Sequence, residues 1–316
     1  MREMTVFTHR RPSDTTPALE RLAAEAARVG VTLRLDAEET RKHGLSNSPG
    51  IAADAAVEDG VELCVVLGGD GTILRALQRY AGTDVPVFAI NFGEIGFLAT
   101  VEPQDIDDGI RRALDGDFEL LRLPALMLDA SAKGSGPLQA QAPAAGSSSL
   151  RAGSSPLGSR GSVLPEQGAQ IAINDLAIHR KVGERVAELA YAIEGQEVGS
   201  VRCDGLVVAT PAGSTGYNLA NGGPVMAWGV EGFVVSFIAP HSLTARALVV
   251  APGDRLTIHN RSRDSLDVAV DGRPVDEISP DGTIDVRFVN AIGTIAQLPG
   301  SSFYRRLREK FGRLAN

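Results

Sequence analysis

The chain has 316 residues, of which 43% are hydrophobic, enough apolar material for the core of one large domain or of two smaller ones. Its formal net charge of -8 argues against a general nucleic-acid-binding surface, and its two cysteines argue against a disulfide framework or a cysteine zinc site. The N-terminus lacks the apolar core of a signal peptide and no stretch is suited to span a bilayer, so we expect a cytoplasmic protein without membrane or nucleic-acid partners.

The first hundred residues alternate strand-like and helix-like segments. Apolar runs predict strands at residues 5–8, 31–35, 61–66 and 85–90. Helical spacing of apolar residues predicts helices at 18–27, 73–80 and 106–114. This alternation indicates a parallel, Rossmann-like sheet with helices on both faces, and such sheets bind ligands at the carboxyl ends of their strands.

Residues 67–72, Leu-Gly-Gly-Asp-Gly-Thr, join the third strand to a helix. The glycines allow a sharp turn and close approach of a ligand, and the amides of the first helical turn favour an anion. We therefore predict a phosphate-binding loop that includes Gly68, Gly69, Gly71 and Thr72, with Arg75 nearby to offset phosphate charge. A ligand-free tight turn is the weaker interpretation, and a Walker loop is excluded because no Gly-Lys-Ser or Gly-Lys-Thr follows.

Asp70 does not suit a simple phosphate loop. A carboxylate is repelled by phosphate oxygens unless it binds a metal ion or accepts a proton from a hydroxyl group. Asn91 ends the next strand along the chain, so we expect it at the same edge of the sheet as Asp70.

The remainder of the chain is rich in strands. Runs at 126–130, 170–173, 186–193, 205–210, 255–258 and 266–270 predict a mainly β domain of sandwich type. Residues 134–168 are dominated by Gly, Ser, Ala, Pro and Gln, which predicts a flexible inserted loop. Phe303, Leu307, Phe311 and Leu314 form an apolar stripe on a C-terminal helix that should dock back on the protein. We expect an α/β domain at 1–104, with the 301–316 helix packed on it, and a β-rich domain at 105–300.

Two further polar clusters lie in the β-rich part. Asn174 and Asp175 follow an apolar run, a pattern that alone most often marks a turn or a cap. Residues 202–224 include a segment dense in hydroxyls, small residues and one aromatic ring, which can hydrogen-bond sugar and phosphate and stack on a base. A binding site is favoured there over a ligand-free turn. No histidine pair predicts a metal site, and no carboxylate or Cys/His pair indicates hydrolytic chemistry.

Taken in order, the three motifs resemble those of bacterial NAD kinases, from about Thr5 to the C-terminal helix, with 134–168 as an insertion. Segments 91–98 and 240–246 are also similar to family segments. The Gly-Gly-Asp-Gly-Thr element alone is not specific, because diacylglycerol kinases, sphingosine kinases and phosphofructokinases carry relatives of it. The ordered combination is specific.

The resemblance implies transfer of a phosphoryl group from ATP, or from inorganic polyphosphate, to the 2′-hydroxyl of the adenosine ribose of NAD, which forms NADP. It implies Asp70 as the general base, Mg²⁺ or another divalent cation with the donor, and a homodimer or homotetramer formed through the β domain. No residue is assigned as a metal ligand. The dinucleotide contacts that it implies are Asn174, Asp175, Arg185, Arg202, Asp204, Thr215, Gly216, Tyr217 and Asn218.

The sequence departs from the family pattern at three places. Asp175 stands where Glu is commoner, Gly216 where Ala is usual, and Arg273 where Gln is frequent, so Arg273 is not assigned to the site. Two alternatives are kept. A lipid or sugar kinase could share the glycine-aspartate element, although the second and third motifs count against it. A non-catalytic dinucleotide sensor would be expected to lack the loop carboxylate, whereas Asp70 is present.

Overall fold

The computed structural model describes residues 2–93, 96–129 and 170–312, and it begins with the predicted parallel sheet. Strands β1 (Arg2–Thr8), β2 (Val31–Arg34), β3 (Ile51–Ala52), β4 (Leu63–Gly68) and β5 (Val87–Asn91) lie in the order β3-β2-β1-β4-β5. Four helices accompany them: α1 (Pro12–Arg28), α2 (Ala37–His43), α3 (Asp70–Arg79) and α4 (Ile106–Asp115).

Side chains on alternating sides of β4 explain why helices cover both faces of this sheet. Val65 belongs to one apolar cluster together with Leu22 of α1 and Ile110 of α4. Val66 belongs to another, together with Ile73 of α3. Successive residues of a strand point to opposite faces, so a continuous apolar strand requires cover on both. The α/β class predicted for this part is confirmed.

The rest of the chain is mainly antiparallel. Its strands are β6 (Glu119–Leu128), β7 (Gln170–Ala172), β8 (Asp175–Arg180), β9 (Ala187–Ile193), β10 (Gln196–Cys203), β11 (Gly205–Ala209), β12 (Phe233–Ile238), β13 (Leu248–Val250), β14 (Leu256–Asn260), β15 (Leu266–Val270), β16 (Arg273–Ile278) and β17 (Thr283–Gln297). Six of them form a second sheet, in the order β13-β12-β11-β8-β15-β16. A large apolar cluster joins residues of this sheet, such as Leu206, to residues of the first, such as Val286, which confirms the predicted sandwich.

Strand β17 belongs to both halves of the molecule. Residues 283–286 pair with β14 in the sandwich, whereas Ile295 pairs in parallel with Val87 of β5. Its other side pairs with β6. The parallel sheet and one layer of the sandwich are thereby one eleven-stranded sheet. The boundary expected at residues 104 and 105 stays a prediction.

A C-terminal helix, α6 (Phe303–Phe311), docks back as predicted. Phe303, Leu307 and Phe311 pack in the same apolar cluster as Phe97 and Trp228. Leu314 and the predicted loop at 134–168 lie outside the described residues. A short helix, α5 (Tyr217–Ala220), follows a single 3-10 turn. Among the described helices, none has the length and hydropathy needed to cross a membrane.

Candidate active site

The glycine loop lies where β4 passes into α3, at the carboxyl end of the parallel sheet. A Cβ atom built on Gly69 would lie 2.9 Å from the Cα of Gly93, so a side chain there would push the two loops apart. A Cβ built on Gly71 would meet no described atom within 4 Å. Packing therefore explains the glycine at 69, whereas Gly71 faces space that a ligand can enter.

Asp70 is the first residue of α3, and its carboxylate is already oriented. The backbone N–H of Phe97 donates to Oδ2 at 3.2 Å, and that of Leu98 donates to Oδ1 at 3.1 Å. A carboxylate oxygen can accept more than one hydrogen bond, so each oxygen keeps acceptor capacity. The carboxylate can therefore accept a hydroxyl proton or bind a cation without first losing its place.

A cavity of about 320 Å³ opens beside the glycine loop, lined by residues 69–72 together with Thr8, His9, Arg10, Glu38 and Arg75. Arg75, predicted from the sequence to lie near phosphate, forms ion pairs with two carboxylates. Its Nη1 lies 3.2 Å from Glu38 and its Nη2 lies 2.8 Å from Glu39. Arg10 is exposed, and within the described ranges it has no ion-pair partner. Arg10 is thus the cation with its charge available to a ligand.

Glu39, which is 0% exposed, holds two of the residues that line this cavity, Thr8 and Arg75. The backbone N–H of Thr8 donates to its carboxylate at 3.1 Å and the Thr8 hydroxyl donates at 2.6 Å. Lys42 and Arg75 approach the same carboxylate, each at 2.8 Å. A buried charge is tolerated when it is paired and hydrogen-bonded in this way, and here it anchors Arg75 to the end of β1.

Arg10 is not among the site residues predicted from the sequence, although its position just after β1 could have indicated it. Thr8, the last residue of β1, pairs in register with Leu67 of β4, so the residues that follow β1 lie beside the glycine loop. The rule that ligands bind at the carboxyl ends of parallel strands therefore applies to Arg10 as it does to Asp70.

Asn91, predicted to lie at the ligand-binding edge of the sheet, is buried and hydrogen-bonded to other residues of the protein. Its side chain is 2% exposed, its Nδ2 donates to Glu102 Oε2 at 3.0 Å, and its Oδ1 accepts from the N–H of Gly93 at 2.9 Å. Gly93 is the residue that packs against Gly69. Asn91 thus shapes the loop that borders the glycine motif.

The predicted pair Asn174 and Asp175 lies at the turn between β7 and β8, with Asp175 as the first residue of β8. Asp175 is 9% exposed, and burial together with the charge of Asp271 raises the pKa of its carboxyl to about 7. Burial also raises the pKa of Asp271, but hydrogen bonds from three backbone N–H groups and from Gln78 oppose that effect. Burial thus raises the pKa of both carboxyls, and the pKa of Asp175 lies near neutral pH.

The hydroxyl-rich segment turns back over the sheet beside Asp175. Asn218 is 0% exposed and its Nδ2 donates to the carbonyls of Ser214 and Pro224, both at 3.0 Å, so it holds this segment in shape. Tyr217 stacks on His179, with ring centroids 5.6 Å apart, and burial and the charge of Asp175 raise its pKa. Thr215 is partly buried and Gly216 is exposed.

The remaining predicted contacts lie at the other end of β11. Ala209 pairs with Asp175, whereas Gly205 pairs with His179, so Asp204 is separated from Asp175 by the length of a five-residue strand. Asp204 is held by Arg180 at 2.6 Å, and this hydrogen bond lowers its pKa. Arg185 and Arg202 are exposed. The structure does not bring these three residues to the Asn174–Asp175 turn, and their role stays a prediction.

The glycine loop and the Asn174–Asp175 turn are adjacent. Leu77 of α3 shares an apolar cluster with Ile173 and with Ala212, which precedes the hydroxyl-rich turn. Gln78 of α3 also donates to Asp271, at 2.7 Å. The helix that begins at Asp70 therefore packs against the segments that carry the Asn174–Asp175 turn and the hydroxyl-rich segment.

A glycine loop with an oriented carboxylate at the carboxyl end of a parallel sheet is an arrangement expected of a phosphotransferase. Two family models match the chain, the ATP-NAD kinase N-terminal domain over residues 10–118 and the ATP-NAD kinase C-terminal domain over residues 173–291. The two matches span most of the sequence, and the chain belongs to the NAD kinase family. It is a kinase.

Named relatives and solved structures agree. The chain is 30% identical to an NAD kinase of Gemmatimonas aurantiaca over 253 residues, which cover 80% of this chain and 78% of the relative. It is 32% identical to one of Rhodopirellula baltica, covering 80% and 72%. The yeast NADH kinase solved with NADH has a TM-score of 0.78 at 20% identity, covering 100% of this chain and 89% of that one. An Archaeoglobus fulgidus NAD kinase solved in complex with ATP has a TM-score of 0.67 at 23% identity, covering 100% of this chain and 99% of that one. The two solved structures confirm the fold.

Proposed function

We propose that this chain transfers the terminal phosphoryl group of ATP, or of polyphosphate, to the 2′-hydroxyl of the adenosine ribose of NAD. The observation that carries the proposal is the oriented carboxylate of Asp70, which lines a cavity with an available cation. Its helix also bonds, through Gln78, to the carboxylate that holds the Asn174–Asp175 turn, and we infer that these groups surround one cleft. As the hydroxyl oxygen bonds to the terminal phosphorus, its proton passes to Asp70, and the bond to the bridging oxygen breaks to release ADP, or the shortened polyphosphate.

Most of the catalytic effect in such a reaction comes from placement. Holding two reactants in line supplies on the order of 7–11 kcal/mol in intramolecular precedents. The structure supports this account because the loop that orients Asp70 and the turn beside Asp175 share one apolar cluster. We assign Asn174 and Asp175 to the ribose and adenine of NAD, with Thr215, Gly216 and Tyr217 beside them. Asn218 acts as the residue that shapes their loop.

We place the phosphate chain of the donor in the cavity beside residues 69–72. The first amides of a helix have no partner within the helix, so those of Asp70 and Gly71 suit phosphate oxygens. Arg10 would bind the outer phosphates, whereas Arg75 holds the cavity in shape through Glu38 and Glu39.

A divalent cation fits this arrangement. No group of three or more His, Cys, Asp or Glu side chains in the described part of the chain could hold a metal ion alone. Mg²⁺ is commonly held by one or two carboxylates together with the phosphates of the substrate, and Asp70 is the carboxylate in place for that. When bound, the cation offsets charge on the phosphate chain. Assembly into a homodimer or homotetramer stays a prediction.

The deciding experiment incubates the purified protein with NAD, ATP and Mg²⁺ and measures NADP. We expect NADP, and we expect Asp70→Asn to lower kcat by about 100-fold or more while leaving the Kd for NAD nearly unchanged, because loss of a general base costs on that order. Asp84→Asn removes an exposed carboxylate of the same part of the chain and should behave as wild type.

Other outcomes would favour the alternatives. Clear NAD binding without NADP from either ATP or polyphosphate would favour the dinucleotide sensor. Phosphorylation of a lipid or a sugar in place of NAD would favour a kinase that shares only the glycine-aspartate element.

The donor assignment makes a separate prediction. Arg10→Ala should raise the KM for ATP about 10-fold or more, because a charge-assisted hydrogen bond to phosphate is lost, and should leave the KM for NAD nearly unchanged. Steady-state kinetics with each substrate varied in turn measure both values. Arg11→Ala is the matched control, since Arg11 is also exposed but does not line the cavity. Equal effects of the two substitutions would contradict the assignment.

A further inference from the structure

Asp271 contacts no substrate in the proposed mechanism, yet its backbone is unusual. It has a φ of 46° and is followed by Gly272 with a φ of 76°. Val270 and Arg273 pair across these two residues, which therefore form a two-residue hairpin turn between β15 and β16. Asp-Gly is favoured in such turns because both residues have positive φ. The hairpin alone would explain the residue types, but it does not explain where the carboxylate points.

The carboxylate points at the Asn174–Asp175 turn. One oxygen accepts from the backbone N–H of Asn174 at 2.8 Å and of Asp175 at 3.1 Å, and the other accepts from that of Ile173 at 3.0 Å. Three successive backbone N–H groups that converge on one point form an anion-binding nest. Here the anion is the protein's own carboxylate, so the shape of the turn depends on that charge.

The same carboxylate also reaches α3. The side-chain amide of Gln78 donates to it at 2.7 Å. Since α3 begins at Asp70, a single side chain connects the turn that presents Asn174 and Asp175 to the helix that carries the proposed base. The backbone N–H of Asp271 adds a further bond to the carbonyl of Asp175, at 2.9 Å.

We propose that Asp271 is a positioning residue, which holds the 173–175 turn in its dinucleotide-binding shape and fixes that turn relative to the helix of Asp70. The inference rests on the proposed function, because it takes Asn174 and Asp175 as dinucleotide contacts. Asp271 itself touches no substrate. Its effect should therefore appear selectively in NAD binding and in the alignment of NAD with Asp70.

The first test replaces Asp271 by Asn. The amide keeps one acceptor oxygen but turns an NH₂ group toward a backbone N–H, so one or more of the four hydrogen bonds is lost. We expect the Kd and KM for NAD to rise about 10-fold, equivalent to about 1.4 kcal/mol, while the KM for ATP changes by less than about 2-fold. The control is Asp267→Asn, a half-exposed carboxylate on β15, the strand that precedes the Asp271 turn, which should behave as wild type.

The second test uses Gln78→Leu, which removes the link to α3 and leaves the three backbone hydrogen bonds in place. We expect kcat to fall about 3- to 10-fold with the KM for NAD nearly unchanged, because the turn keeps its shape but not its distance from Asp70. An unchanged kcat would overturn the link to α3.

Further outcomes separate this inference from the proposed function. Formation of NADP by the wild-type protein is measured first, and its absence would count against the proposed function alone, since calorimetry of NAD binding still tests Asp271. An Asp271→Asn protein that is folded and binds NAD like wild type would overturn the inference. Equal increases in the KM for NAD and for ATP would also overturn it, because they would indicate general distortion.

Discussion

Three carboxyl groups near the proposed site differ in what surrounds them. Asp70 accepts one backbone N–H on each oxygen, and Asp271 accepts three together with an amide. Asp175 is buried beside the charge of Asp271, and these two effects raise the pKa of its carboxyl to about 7. In the free protein, Asp175 therefore exchanges its proton near physiological pH.

This ionisation predicts a pH-dependent cost in stability. The unfolded pKa of Asp is about 3.9, so between about pH 4 and pH 7 the folded protein binds more protons than the unfolded chain, and stability falls as pH rises through that window. Asp175→Asn cannot ionise. Its free energy of unfolding relative to wild type should therefore increase from about pH 5 to pH 8, as measured by urea denaturation.

The effect of Asp175→Asn on NAD binding should be opposite to its effect on stability. In the binding mode proposed above, the ionised carboxylate would accept hydrogen bonds from ribose hydroxyls, so Asp175→Asn should bind NAD more weakly than wild type at pH 8 even though it is the more stable protein there. Asp267→Asn serves as the exposed control. A stability difference that stays constant with pH would show that Asp175 is ionised throughout the range.

Single residues also show which parts of the candidate site could be predicted from the sequence. Asn174 and Asp175 could be proposed as site residues because they directly follow an apolar run, and Asp70 because it lies in the glycine loop after another. Asp271 could not, because its partner Asn174 lies 97 positions away. Arg75 lines the cavity beside the glycine loop, and its contact with phosphate stays a prediction. Its ion pairs with Glu38 and Glu39 could not be predicted, because their helix α2 has no apolar stripe.

Among the elements, α6 supports the loop that orients Asp70. Arg306 donates to the carbonyl of Phe97 at 3.1 Å and also to that of Ala99, and its guanidinium lies 5.3 Å from the centre of the Trp228 ring. Burial lowers its pKa. Because the N–H of Phe97 donates to Asp70, the helix and the base are connected through one loop.

We therefore expect Arg306→Leu to lower kcat about 10-fold with a smaller change in the KM for NAD, because two carbonyl groups lose their donor and the loop behind Asp70 loosens. Steady-state kinetics at saturating ATP measure both constants. Arg305→Leu is the control, since Arg305 is exposed and bonds only to Glu309 within the described chain. A loss of kcat that is the same in both variants would contradict this role.

Helices and strands were predictable where their apolar pattern is regular. The helices α1, α3 and α4 each bury one side and were found from their spacing. Strand β10 was missed because it is largely exposed. Strand β17 was missed because its register shifts between Val289 and Gly293, where Ala291 has a positive φ, and this interrupts the alternation.

In the whole molecule, β17 makes the two halves mutually dependent. Its residues contribute both to the core of the sandwich, through Val286, and to the core around α3, through Ile295. The sequence could predict an α/β part and a β-rich part, but not that one strand joins them. A strand that pairs with both β5 and β14 is defined by contacts between residues far apart in the chain.

We expect the protein to unfold in one transition. Trp228, the single tryptophan, lies in the cluster around α3, whereas far-ultraviolet circular dichroism reports on all strands. Fluorescence and circular dichroism should therefore give the same midpoint in urea, as two-state unfolding requires. Val249→Ala, at an exposed position of the outer strand β13, should leave the midpoint unchanged, whereas Ile295→Ala should lower both signals together. Two separate midpoints would show independent halves.

The shared strand has a consequence for how the cleft admits its ligands. A hinge that opened the two halves as rigid bodies would have to bend β17 and break its pairing with β6, which extends from Val286 to Gln297. Entry and exit of NAD should therefore depend on motions of the surface segments around the cleft, while the two halves joined by β17 keep a constant distance from each other. Turnover would then be limited by loop rearrangement and not by rotation of one half against the other.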